Sequence, residues 1–158
     1  KGSYAVFSLK KEAKGYEVSE SVKMNMTQVL KLRLKKKNKF DFEGLAFHNN
    51  LFYIPDERDR KVFTLDKQGN LTDLNIDING YLNSNGLRNN VSNSGLEGLT
   101  IDRKNNIMYL IKERQESVIL AVDLNTKKII KHFYSLGKHY RNTSSIIFKN
   151  IRNIGIVV

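Results

Sequence analysis

The sequence predicts an all-β fold assembled from repeated four-stranded antiparallel units, and three observations predict it. First, residues 41–66 (DFEGLAFHNNLFYIPDERDRKVFTLD) return about fifty-five positions later as residues 95–123 (GLEGLTIDRKNNIMYLIKERQESVILAVD). Phe42-Glu43-Gly44-Leu45 aligns with Leu96-Glu97-Gly98-Leu99, Leu51-Phe52-Tyr53-Ile54 with Ile107-Met108-Tyr109-Leu110, and Glu57-Arg58 with Glu113-Arg114. Second, short apolar runs are separated throughout by turn residues. Third, four such runs fit into roughly thirty-five residues, which is the pattern of a β-propeller blade.

Taken in order, residues 4–9 (YAVFSL) alternate weakly and read as a strand, 10–15 as a charged turn and 16–22 as a partner strand. Residues 27–34 (TQVLKLRL) alternate Leu30, Leu32 and Leu34 with charged residues, so a half-buried strand is expected; a helix over residues 20–30 is the competing reading. In the first clear unit, residues 44–47 form a strand and His48-Asn49-Asn50 a tight turn, because Asn tolerates positive φ. Residues 51–55 return, with Pro55 at the strand end, where a missing N–H costs little. Residues 62–65 and 71–76 supply the third and fourth strands, and the polar stretch 77–94 (DINGYLNSNGLRNNVSNS) reads as a long connecting loop. The second unit runs through strands at 96–101, 107–111, 118–122 and 128–134. A further one is expected to begin at 144–148, with 154–158 after it.

One propeller domain over residues 1–158 is therefore expected, with blades at 1–36, 41–76 and 95–134, a loop at 77–94 and the start of a further blade at 144–158. About three blades leave edges and apolar faces exposed. The expectation is a partial ring that belongs to a longer protein or is completed by self-association.

Composition narrows the function classes. With 40% hydrophobic residues the chain can build a core, and no apolar run is long enough for a membrane span. Cysteine is absent, which excludes disulfides and thiolate metal sites. The chain starts at Lys1-Gly2-Ser3 without an initiator Met, so loss of a signal or anchor segment is expected, and with it peripheral attachment to a membrane. The net charge is +11, with a dense run at residues 31–39 (KLRLKKKNK) read as a solvated strand end and turn. No exposed aromatics interleave with the basic residues, so nucleic acid is not an expected partner.

The residues with chemistry are repeated carboxylates. A turn centred on Asn49-Asn50 places Glu43 opposite Asp56 with Glu57 one step along; a turn centred on Lys104-Asn105 places Glu97 opposite Lys112 with Glu113 one step along. Glu43, Glu97, Glu57 and Glu113 are thus expected at one mouth of the channel, as an oxygen-rich site for a hard cation such as calcium. The structural alternative makes Glu57 and Glu113 struts between blades, with Arg58 and Arg114 serving neighbouring blades. Gly44 and Gly98 read as close-packing positions near the axis. His48 reads as a solvated turn residue, and His48, His132 and His139 lack metal-ligand spacing. Asp59, Asp66, Asp102 and Asp123 read as turn residues. No Gly-x-Ser-x-Gly elbow and no phosphate-cradling glycine loop exists, so no catalytic residue is assigned.

Asp41-Phe42-Glu43-Gly44-Leu45, Asp56-Glu57-Arg58-Asp59, Asn93-Ser94-Gly95-Leu96-Glu97-Gly98-Leu99 and Lys112-Glu113 together resemble the SdiA-regulated family of bacterial β-propellers. The resemblance covers about residues 40–124. It implies a six-bladed ring and a cell-envelope location (periplasmic, membrane-anchored or secreted), and no established reaction. The family's next Asp-x-Ser-Gly-like element has no Asp here, where Arg141-Asn142-Thr143-Ser144-Ser145 stands. The Glu-Gly-Leu element at residues 95–99 is also similar to a phytase-like esterase family. Two functions follow as expectations. One is a non-catalytic propeller that binds a small-molecule or protein ligand, with a divalent cation on Glu43 and Glu97. The other is a calcium-dependent hydrolase of phosphate esters.

Overall fold

The computed structural model describes residues 4–34, 40–87, 95–112 and 117–134. Its elements are β1 (Ala5–Glu12), β2 (Gly15–Lys23), α1 (Met26–Leu34), β3 (Ala46–His48), β4 (Leu51–Asp56), β5 (Lys61–Leu65), β6 (Leu71–Asp73), α2 (Ile78–Ser84), β7 (Leu96–Asp102), β8 (Ile107–Lys112), β9 (Val118–Asp123) and β10 (Lys128–Tyr134). β3-β4-β5-β6 and β7-β8-β9-β10 are four-stranded antiparallel sheets in simple up-and-down order, and β1-β2 is a separate two-stranded sheet. The two four-stranded units are the two sequence repeats.

Turn chemistry explains the hairpins. Asn49 and Asn50 both take positive φ, 48° and 61°, the backbone that a two-residue hairpin between right-twisted strands requires. Asp66, Asp102 and Asp123 end their strands by accepting backbone N–H groups two to four residues ahead. Within the β4–β5 turn the capping carboxylate is Asp56, which accepts from the Asp59 N–H.

Burial follows the pleat. One core lies between the two repeats: Tyr53 and Val62 of the first meet Leu99, Ile101, Met108, Leu110 and Leu120 of the second. A second core lies on the other face of the first repeat, where Ile54, Phe63, Leu65 and Leu71 meet Val6, Val22, Met24, Val29 and Phe40. The β3–β6 sheet is thus covered on both faces, as a blade inside a propeller is, and β7 packs on β3 and β4.

Two expectations are corrected. The unit at 1–36 is not a four-stranded blade: residues 27–34 belong to a helix, not a strand, and residues 20–23 belong to β2 rather than to a helix. The Asn25 side chain accepts from the Thr27 and Gln28 N–H groups and its carbonyl from Val29, which is an N-cap. Of the apolar residues that suggested a strand, only Val29 is buried, while Leu30 and Leu34 face solvent. The Gln28 amide fixes the helix by bonding Asn70 and the Leu71 N–H. The other correction concerns 77–94. Asp77 caps α2 by accepting from the Gly80 N–H, and Ile78 and Leu82, one helical turn apart, are fully buried. The strands expected at 144–148 and 154–158 lie outside the described residues.

Candidate carboxylate site

The site is built at the end of the first repeat where β3 begins and β4 turns into β5. Ala46 pairs with Tyr53, a register that would set Glu43 opposite Asp56. Instead Phe42 is bridged to Asp56, so one residue is looped out within 43–45. The second repeat does the same. Gly98 pairs with Ile111 but Leu96 with Lys112, which loops out Glu97. Neither glutamate sits where alternation put it, because a bulge adds one residue to its strand and re-aims the side chains around it.

Beside the bulge in the first repeat three carboxylates come together. One oxygen each of Asp41, Glu43 and Glu57 lies within 4.8 Å of the others. The backbone sets this geometry, since Glu57 N–H donates to the Asp41 carbonyl at 2.8 Å and Glu43 N–H to the Pro55 carbonyl at 3.3 Å. Arg58 Nε donates to Asp41 Oδ2 at 2.6 Å. Although the Glu43 residue is exposed, partial desolvation of its carboxyl, and then the Asp41 charge, raise it above its ordinary value. Glu57 is raised by burial, by the charges of Asp41 and Glu43, and by a side-chain hydrogen bond to Asp41, against the opposing pull of Arg58.

Of the four glutamates expected at a common mouth, the structure thus unites Glu43 and Glu57. Glu97 is half-buried in its own bulge and is not part of this group, and Glu113 lies outside the described residues. Asp41 is the member that sequence reasoning passed over. Its signal was its place two residues before Glu43, on the same side of an extended chain. Gly44 and Gly98 do lie against each other, but a Cβ on Gly44 would meet the Gly98 Cα at 3.4 Å, and one on Gly98 would meet nothing closer than the Glu43 carbonyl at 3.9 Å. Both are ordinary contacts, so the exclusion of side chains expected at these two glycines is not found there. His48 is also corrected: it is buried, and its Nε2 bonds Asn106 Oδ1 at 2.8 Å, tying the β3–β4 turn to the β7–β8 turn. His132 Nδ1 bonds Tyr81 OH at 2.9 Å, which fastens α2 to β10.

A separate open groove of about 710 Å³ runs between α2 and the β9–β10 turn, lined among others by Ile76, Tyr81, Lys127 and Ile129. It shares no residue with the carboxylates.

Fold and site together define a repeat-built protein of the propeller class with an all-oxygen donor cluster at one end of a blade. The sequence model of the phytase-like family, described as esterase-like activity of phytase, matches residues 6–146. The chain belongs to that family. No curated protein matches it.

Proposed function

We propose that the chain binds a divalent cation, calcium by preference, on Asp41, Glu43 and Glu57, and serves the hydrolysis of phosphate esters. The observation that carries this reading is the convergence of three carboxylates within 4.8 Å of one another. The donor set is all oxygen, and Glu43 is exposed, which leaves room for water in the coordination shell; both suit a hard cation. Such a cation offsets phosphate charge and lowers the pKa of bound water. The chain's own residues supply the rest. Asp41 and Glu57 are fixed by the backbone ladder, Arg58 orients Asp41 from outside, and the +11 net charge draws an anionic ester toward the protein. Family membership supports an ester as the substrate class. The finer resemblance to SdiA-regulated propellers supports a cell-envelope location as part of the same proposal.

A second reading, cation-assisted binding of an anionic ligand without turnover, is favoured by one observation. Arg58, the guanidinium beside the cluster, is engaged by Asp41 rather than presented to a ligand. Hydrolysis of p-nitrophenyl phosphate with calcium and with a chelator separates the two. Calcium-dependent release of nitrophenol that is lost in Asp41→Asn and Glu57→Gln supports the hydrolase. Calcium binding without turnover supports the ligand-binding reading.

A further inference from the structure

Gly95 precedes β7 and is buried against the first repeat. A Cβ at this position would lie 2.1 Å from the Glu57 carbonyl oxygen, 2.5 Å from Glu57 Cγ and 2.6 Å from the Glu57 carbonyl carbon. Two of those atoms are backbone, and the third begins the carboxylate-bearing arm, so the overlap cannot be relieved by swinging a flexible side-chain end. In the alignment of the two repeats Asp41 stands at the position of Gly95, two residues before Glu43 as Gly95 is two residues before Glu97. The first repeat therefore carries a carboxylate where the second carries hydrogen, and the second repeat's lack of a side chain is what lets Glu57 stand beside Asp41 and Glu43.

We infer that Gly95 is a positioning residue for the carboxylate cluster, acting from the neighbouring blade by leaving Glu57 the space it occupies. This inference rests on the cation reading of the same site. The second blade then does more than bury apolar surface: it sets the reach of one of the three ligands. Substituting Gly95 displaces Glu57, while the other two carboxylates keep their places.

The test compares three glycine variants of the full chain by calcium calorimetry and thermal unfolding. Gly69→Ala is the control for steric damage, because a Cβ there would lie 2.2 Å from the Lys23 carbonyl oxygen, against β2 and away from the cluster. Gly98→Ala is the control for an inter-blade glycine with room. The inference predicts that Gly95→Ala weakens calcium binding by about tenfold or more, as loss of support for a metal ligand does. Gly69→Ala lowers Tm while its folded fraction keeps wild-type affinity, and Gly98→Ala changes neither. Wild-type affinity in Gly95→Ala overturns the inference and leaves the cation reading standing; failure of the wild-type chain to bind calcium overturns the cation reading itself, and the inference with it. If Gly95→Ala does not fold, the wild-type chain answers by NMR. The Gly95 amide peak moves along the calcium titration while those of Gly15 and Gly86, which have no neighbours within 4 Å of a built Cβ, stay put. A stationary Gly95 peak during saturable calcium binding contradicts the inference.

Discussion

Glu57 stands where two carboxylates and one guanidinium meet, and its behaviour should report the state of the whole cluster. With no cation bound, the charged form of Glu57 is opposed by burial and by Asp41 and Glu43. Glu57→Gln therefore stabilises the metal-free chain, by less than about 1 kcal/mol after solvent screening, while abolishing calcium binding; thermal unfolding with and without calcium reads both. The pH dependence has a definite sign. Glu43 and Glu57 have folded values raised above 4.5, so the folded chain binds more protons than the unfolded one, and stability rises as pH falls through the raised values toward 4.5. Asp66 and Asp102 are held below 3.8 by side-chain and backbone bonds from Asn70 and Asn105. Their contribution is complete above 3.8 and is lost as pH falls below it. Metal-free stability should therefore crest in mild acid. Calcium reverses the first trend, because it favours the charged carboxylates, and its affinity should drop as pH falls through the raised Glu values. Denaturant melts along a pH series, with and without calcium, test both slopes.

At the scale of elements, the two helices are the informative cases. α1 replaces an expected strand because Asn25 supplies a cap and because residues 26–34 bury one side chain, Val29, rather than an alternating row. Asn25→Ala should cost about 1 kcal/mol, and Val29→Ala more, whereas Leu34→Lys should be neutral within about 0.5 kcal/mol. A strand would make the Leu34 change costly instead, so chemical denaturation of these variants discriminates. α2 was hidden in a polar stretch whose Ile78 and Leu82 are the only strong sign of a helical period; Leu82→Ala should cost roughly 2–5 kcal/mol as a cavity in the core between repeats. The strands of the two repeats were legible because their apolar content and turn residues agree, as at Asn49-Asn50 and Asp102. The register at the carboxylate end was not. A bulge shifts pairing by one residue without any mark that pattern counting detects, and it lies beside the group formed by Asp41, Glu43 and Glu57.

On the scale of the whole molecule, the chain carries a net charge of +11. For the proposed hydrolysis of phosphate esters this charge would attract the anionic ester, an attraction screened by salt over about 10 Å at 0.1 M. The Michaelis constant for a phosphate ester should therefore rise with sodium chloride, while the turnover of bound substrate changes little; steady-state kinetics over a salt series checks this. The stack of repeats also makes the site a property of neighbours, since Gly95 of one repeat abuts Glu57 of the other. The claim on which all of this turns is that Asp41, Glu43 and Glu57 hold one divalent cation. Calorimetric titration of the purified chain with calcium, alongside Glu43→Gln and Glu57→Gln, tests it most directly. Saturable binding of one ion by the wild-type chain is expected, with loss of binding in both variants. Heats no different from dilution in the wild-type chain, or binding that survives in both variants, would contradict it.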